Sequence, residues 1–122
     1  MYKLRVTSEF SAAHNLREYK GKCEALHGHN WKVEVVIAAK NANRQGLVVD
    51  FHEIKNMVKA ALEELDHNYL NQLDYFKKHN PTSENLAKYI FDEIKAQIPS
   101  KKIRLQEVTV WESDQCSATY YR

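Results

Sequence analysis

The stretch Cys23-Glu24-Ala25-Leu26-His27-Gly28-His29-Asn30 sets a thiol and two imidazoles directly ahead of the run Trp31-Lys32-Val33-Glu34-Val35-Val36-Ile37. In that run Trp31, Val33, Val35 and Ile37 share one parity and Lys32 and Glu34 the other, the period-two pattern of a strand with one buried face. Carried backward, the same parity places His27 and His29 on the core side. Residues two apart in a strand point the same way and stand roughly 6.5–7 Å apart, so both rings can be aimed at one point. Two converging imidazoles suit a metal. Catalytic zinc usually takes three protein ligands and keeps a fourth position open, so a third histidine is sought on another strand. Gly28 leaves the opposite face bare and permits a bulge or a close backbone approach. A His-x-His pair also occurs without any metal, so the third ligand matters.

Working outward, Tyr2, Leu4, Val6, Phe10 and Ala12 alternate with Lys3, Arg5, Thr7 and Glu9, which predicts a first strand. Its parity brings His14 to the apolar side. His14 is then either the third ligand or a core histidine satisfied by a backbone carbonyl. Asn15 to Leu26 reads as a loop that carries Gly21, the cations Arg17, Lys20 and Lys22, and Cys23. A thiol beside cations or a metal tends to the reactive thiolate, whereas a buried structural cysteine is inert, and both readings stand.

The chain has 122 residues, which fits one domain over 1–122 with a sizeable core. A net charge of +2 with scattered lysines argues against a nucleic-acid or membrane partner. No apolar run has the length of a membrane span. With no secretory signal ahead of Cys23 and Cys116, the expectation is a cytoplasmic protein with reduced thiols.

Beyond a turn at Asn41 to Gly46, Leu47-Val48-Val49 reads as a short extended segment. Asp50 is the expected N-cap of a helix, with Glu53 as capping-box partner and Val49 stapled to Ile54. Phe51, Ile54, Val58, Ala61, Leu62 and Leu65 form its apolar stripe, and His52 falls on the surface. Asp66-His67 at the helix end has the form of an orienting acid beside an imidazole, or of ordinary helix-ending residues. Tyr69 to His79 reads as irregular. Thr82 or Ser83 caps a second helix with stripe Leu86, Ala87, Ile90, Phe91, Ile94 and Ile98, stopped by Pro99. Ile103 to Trp111 and Ser117 to Tyr121 are strands. Glu112 continues the face of Val108 and Val110, where a carboxylate is costly unless it binds something or frays into water.

The predicted fold is α+β: a four-stranded antiparallel sheet with two helices on one face. Its open edges and the apolar groups on both parities of the third strand predict a homo-oligomer.

Together, Phe10-Ser11-Ala12-Ala13-His14, Cys23 with Leu26-His27-Gly28-His29-Asn30, Val49-Asp50-Phe51, Leu65-Asp66-His67, Pro81-Thr82-Ser83-Glu84-Asn85-Leu86-Ala87 and Glu112 resemble the 6-pyruvoyl-tetrahydropterin synthase family. The likeness is nearest to its bacterial carboxy-forming branch, which serves queuosine biosynthesis. It implies the tunnelling fold, whose sheets join between subunits into a barrel, commonly a homohexamer made of two trimers. It assigns zinc to His14, His27 and His29, the catalytic thiol to Cys23, the acid–base pair to Asp66 and His67, and the pterin anchor to Glu112. Thr82, Ser83 and Glu84 match positions lining the pterin pocket. The implied substrate is 7,8-dihydroneopterin triphosphate, with Arg17, Lys20 and Lys22 available to its phosphates. Three residues separate Cys23 from His27, which resembles the enzymes forming 6-carboxytetrahydropterin with loss of acetaldehyde and triphosphate. The pyruvoyl-forming enzymes tend to carry a longer insertion there. Glu24 beside the thiol disfavours the thiolate by like-charge repulsion. Three other outcomes stay open: the pyruvoyl product, a non-catalytic metal-stabilised binding module, and a zinc hydrolase.

Overall fold

The structure is a computed structural model that describes residues 1–21, 23–99 and 101–122, so Lys22, one of the three proposed phosphate cations, lies outside the described residues. Strand β1 (Tyr2–His14) and strand β2 (His27–Ala39) form a long antiparallel pair with continuous register from Tyr2↔Ala39 to His14↔His27. Helix α1 (Phe51–Leu62) follows, then a two-residue strand β3 (Asn68–Tyr69), a 3-10 turn at Leu70–Gln72 and a short helix α2 (Asp74–Lys78). Helix α3 (Ser83–Gln97), strand β4 (Ile103–Ser113) and strand β5 (Cys116–Tyr121) complete the chain. The sheet order is β3-β1-β2-β4-β5, antiparallel except where β3 runs parallel to β1 at Ala12↔Asn68 and Ala13↔Tyr69.

The expected α+β architecture holds, with three differences. A fifth strand, β3, extends the predicted four. The stretch from Tyr69 to His79, expected to be irregular, folds as a 3-10 turn and α2, and buries Leu70 and Phe76. Leu47-Val48-Val49, read as a short extended segment, lies outside every strand and bends at Val48 and Val49.

Parity along the strands builds the core. Val6, Phe10, Ala12 and His14 of β1 and Trp31, Val33, Val35 and Ile37 of β2 are buried together with Val108 and Val110 of β4. Helices α1 and α3 cover this face through Ile54, Val58, Ala61 and Leu62, and through Leu86, Ala87, Ile90, Phe91 and Ile94. Asp50 caps α1 as expected, accepting from the His52 backbone N–H at 2.8 Å, but Phe51 is half exposed and lies off the stripe. Leu65, beyond the helix end, is fully buried.

Trp31 anchors the end of the sheet that holds the histidines. It is fully buried, stacks on Phe10 at 5.9 Å and donates its indole N–H to the Ala12 carbonyl at 3.2 Å, so both its apolar body and its polar tip are satisfied.

Candidate functional site

The last pairs of the β1–β2 ladder assemble the site. His14 stands opposite His27, and His29 stands opposite Ala12, whose small side chain leaves room for the imidazole. The three rings pack edge to face, with centroids 4.6 Å (His14–His27), 5.1 Å (His14–His29) and 4.8 Å (His27–His29) apart. Trp31 forms one wall, 4.8 Å from the ring of His14 and 5.1 Å from that of His29. Glu112 of β4 completes the group, its Oε1 3.0 Å from His29 Nε2 and 3.4 Å from His14 Nε2. The ligand atoms of these four residues lie within 4.8 Å of one another.

The hydrogen bonds fix which nitrogens are free. His14 Nδ1–H donates to the Pro81 carbonyl at 2.7 Å, and His27 Nδ1–H donates to the Ala25 carbonyl at 2.9 Å. A carbonyl only accepts, so both neutral rings carry the proton on Nδ1 and turn the Nε2 lone pair inward. Those two Nε2 atoms face each other at 3.1 Å. Two lone pairs at that distance repel unless a cation or proton lies between them. Two nitrogens bound to one tetrahedral metal stand about 3.3 Å apart, given bonds of about 2.0–2.1 Å. His29 Nε2 is buried without a hydrogen-bond partner among the described residues, since Glu112 Oε1 sits near it but off the hydrogen-bonding direction. Burial holds the His29 pKa below the usual histidine value; His14 and His27 push the same way, and Glu112 opposes. The donor set therefore fits a metal ion, and its outer contacts to Pro81 and Ala25 are the kind that orient ligating histidines. His14 is both of the things its sequence context allowed: a buried histidine satisfied by a carbonyl, and a member of the group.

Gly28 needs no special backbone. The register passes through Ala13↔Gly28 without a bulge, and a Cβ there would meet only the Ala12 carbonyl oxygen at 3.8 Å, an ordinary contact.

Cys23 is exposed on the loop between β1 and β2 and stands outside the four clustered side chains. Its neighbour Glu24 is tied down, its carboxylate accepting from the Leu16 backbone N–H at 3.2 Å and lying 3.8 Å from His27 Nδ1. Cys116 is a second free, exposed thiol.

Asp66 and His67 sit at the outer edge of β1. Asp66 Oδ1 accepts from the Ser11 N–H at 2.9 Å and lies 3.0 Å from His67 Nδ1, while the His67 N–H donates to the Ser11 carbonyl at 2.6 Å. The Ser11 N–H, against opposing desolvation and with smaller contributions from His67, holds the Asp66 carboxyl below its usual pKa. His67 adopts φ 59°, a left-handed conformation unusual for a side chain of its size. Its side chain is 81% exposed, and His67 lines an open cleft with Ser11, Ala12, Ala13, Gly28, His29 and Asn30. Ser11, Ala13, Gly28 and Asn30 have the parity opposite to His14, His27 and His29, while His29 itself also lines the cleft.

Among the proposed substrate contacts, Thr82 spends its hydroxyl as the N-cap of α3, accepting from the Asn85 N–H at 3.1 Å, and Ser83 and Glu84 occupy the first helical turn. Arg17 directs its guanidinium to the carbonyls of Phe76 and His79, at the end of α2, and Lys20 lies over the Tyr19 ring. Residues missed by periodicity include Asn71 and Asn80, whose carboxamides bond to the backbone just beyond His14.

A family model described as 6-pyruvoyl tetrahydropterin synthase matches residues 3–122. A 6-carboxy-5,6,7,8-tetrahydropterin synthase of Rickettsia bellii is 33% identical, covering 95% of this chain and 97% of its own. A 6-pyruvoyl tetrahydrobiopterin synthase of Drosophila melanogaster is 34% identical, covering 92% of this chain and 68% of its own. The structure of Caenorhabditis elegans 6-pyruvoyl tetrahydropterin synthase superposes with a TM-score of 0.86 at 26% identity, over 99% of this chain and 95% of that one.

Proposed function

Because the chain belongs to the 6-pyruvoyl tetrahydropterin synthase family, we propose that it is a zinc-dependent lyase converting 7,8-dihydroneopterin triphosphate and water to 6-carboxy-5,6,7,8-tetrahydropterin, acetaldehyde and triphosphate, in queuosine biosynthesis. The observation that carries the reading is the facing of the His14 and His27 Nε2 atoms at 3.1 Å beside His29 Nε2, which has no hydrogen-bond partner among the described residues.

His14, His27 and His29 would hold the zinc. When bound, the ion supplies a positive charge and an open position that acidify hydroxyls on the substrate's side chain. Cys23 removes a carbon-bound proton as thiolate. Asp66 orients His67, which gives or takes the second proton at another carbon of the side chain. Glu112 accepts from the pterin's ring nitrogen and amino group, two planar donors matched to a planar acceptor. Thr82, Ser83 and Glu84 line the pterin pocket, and Arg17, Lys20 and Lys22 are the cations available to the triphosphate.

The opposite parity of Ser11, Ala13 and Asn30 beside His67 and of the three imidazoles in one copy supports a pocket shared between copies. The edge of β1 from Lys3 to Glu9 carries no strand partner among the described residues, and β5 forms the other edge of the sheet. Both suit a barrel closed by oligomerisation, as in a hexamer of two trimers.

Product analysis after incubation with 7,8-dihydroneopterin triphosphate tests the proposal: 6-carboxytetrahydropterin with acetaldehyde supports it. Elimination of triphosphate to the pyruvoyl product supports a second reading, favoured by the names of the fly and nematode relatives.

A further inference from the structure

Beyond His14 the chain leaves β1, yet its ladder continues through side chains. The Asn15 N–H donates to Asn71 Oδ1 at 3.1 Å, and Asn71 Nδ2 donates to the Asn15 carbonyl at 2.8 Å. Two residues on, the same pair of bonds recurs: the Arg17 N–H donates to Asn80 Oδ1 at 2.9 Å, and Asn80 Nδ2 donates to the Arg17 carbonyl at 3.0 Å. Leu16, between them, turns the other way and pairs with Glu24. The Glu24 N–H donates to the Leu16 carbonyl at 2.8 Å, and the Leu16 N–H donates to Glu24 Oε1 at 3.2 Å. Two carboxamides thus stand in for a neighbouring strand, satisfying backbone groups that no sheet reaches. The loop beyond this neck turns through left-handed residues at Glu18, Lys20 and Gly21.

One side chain links the ladder to the thiol loop. Asn15 Oδ1 accepts from the Tyr69 hydroxyl at 2.7 Å, and Asn15 Nδ2 donates to the Glu24 carbonyl at 3.1 Å. Glu24 adjoins Cys23 in the chain, and Asn15 adjoins His14. Asn15 is therefore bonded on both sides, between a residue of the imidazole group and the residue next to the thiol.

We infer that Asn15 is a positioning residue, which sets the Cys23 thiol relative to the imidazole group through its bond to the Glu24 carbonyl. The inference rests on the proposed catalytic role of Cys23. Asn71 and Tyr69 hold Asn15 in place for this task.

Asn15→Ala and Asn15→Asp both remove the Nδ2 donor, and the aspartate keeps an acceptor for Tyr69, so folding is protected in at least one variant. Tyr69→Phe removes the opposite bond. The readouts are kcat and KM for dihydroneopterin triphosphate, metal bound per chain, hydrogen exchange at the Glu24 amide and the rate of Cys23 alkylation by iodoacetamide. Both Asn15 variants are expected to keep the metal and a KM within about twofold of wild type. Each loses about tenfold in kcat, the scale of one neutral hydrogen bond, and the Glu24 amide exchanges about tenfold faster. Tyr69→Phe gives a smaller change in both. Faster exchange at Glu24 with a changed alkylation rate upholds the positioning role even in a protein that does not turn over the pterin, an outcome that defeats the lyase reading alone. Wild-type kcat with unchanged exchange and alkylation in Asn15→Asp overturns the inference, as does loss of the metal together with kcat.

Discussion

The Nε2 atoms of His14 and His27 face each other at 3.1 Å while the Nδ1 of each ring is spent on a backbone carbonyl. This relationship makes the pair fit to hold a metal ion and ranks its two members for mutagenesis. His14 is 3% exposed and bonded to Pro81, so its removal leaves a buried carbonyl unsatisfied, at a cost of about 1–3 kcal/mol. His27 is partly exposed and its partner carbonyl can turn to water. His27→Ala is therefore the cleaner variant: metal content measured by elemental analysis should fall well below one per chain, with the melting temperature close to that of wild-type protein loaded with no metal.

Cys23→Ala should leave fold and metal content unchanged, because the thiol is exposed and stands apart from the four clustered side chains. Turnover should fall by about 10²–10⁴-fold, the range for loss of a positioned base. A variant that keeps most of its activity would point to hydrolysis by a metal-activated water instead.

Glu112 has two uses open to it by distance, ligand or pterin anchor, and one substitution separates them. As an anchor, Glu112→Ala keeps the metal and raises KM by about 10–100-fold through loss of charge-assisted hydrogen bonds. Loss of the metal in this variant would identify a closed, four-ligand site.

The folded Asp66 carboxyl titrates below the unfolded one, chiefly because of the Ser11 N–H. Its stabilising contribution is thus present above the unfolded value of about 3.9 and is lost as pH falls through the lower, folded value. Urea titrations of wild type and Asp66→Asn should differ by a constant amount above about pH 5, and the difference should shrink steadily toward more acid pH. A gap that is flat down to the acid limit would remove the carboxylate from the edge of β1.

Much of the site could be read from alternation alone. The parity that buries Val6, Phe10 and Ala12 carries unbroken to His14, and the parity of Trp31 and Val33 carries back to His29 and His27, because no bulge interrupts the β1–β2 ladder. Asp50 was legible for a similarly local reason, a short acceptor placed before a helical stripe. Phe51 misled because apolar character at helical spacing does not reveal which side of the first turn faces the core; its ring is half exposed. Helix α2 and the 3-10 turn were missed because Leu70, Leu73 and Phe76 span too few turns to establish a period. The carboxamide ladder of Asn71 and Asn80 has no hydrophobic signature at all: its partners, Asn15 and Arg17, lie 56 and 63 residues away in the chain. Nor does any single strand pattern show that Asp66 and His67 grip Ser11 from outside, which sets an open cleft beside His67.

The most direct measurement is acetaldehyde release from 7,8-dihydroneopterin triphosphate by protein stripped with a chelator, before and after one equivalent of zinc per chain. The account predicts no release from the stripped protein and full recovery on adding zinc. Undiminished release without the metal would contradict it.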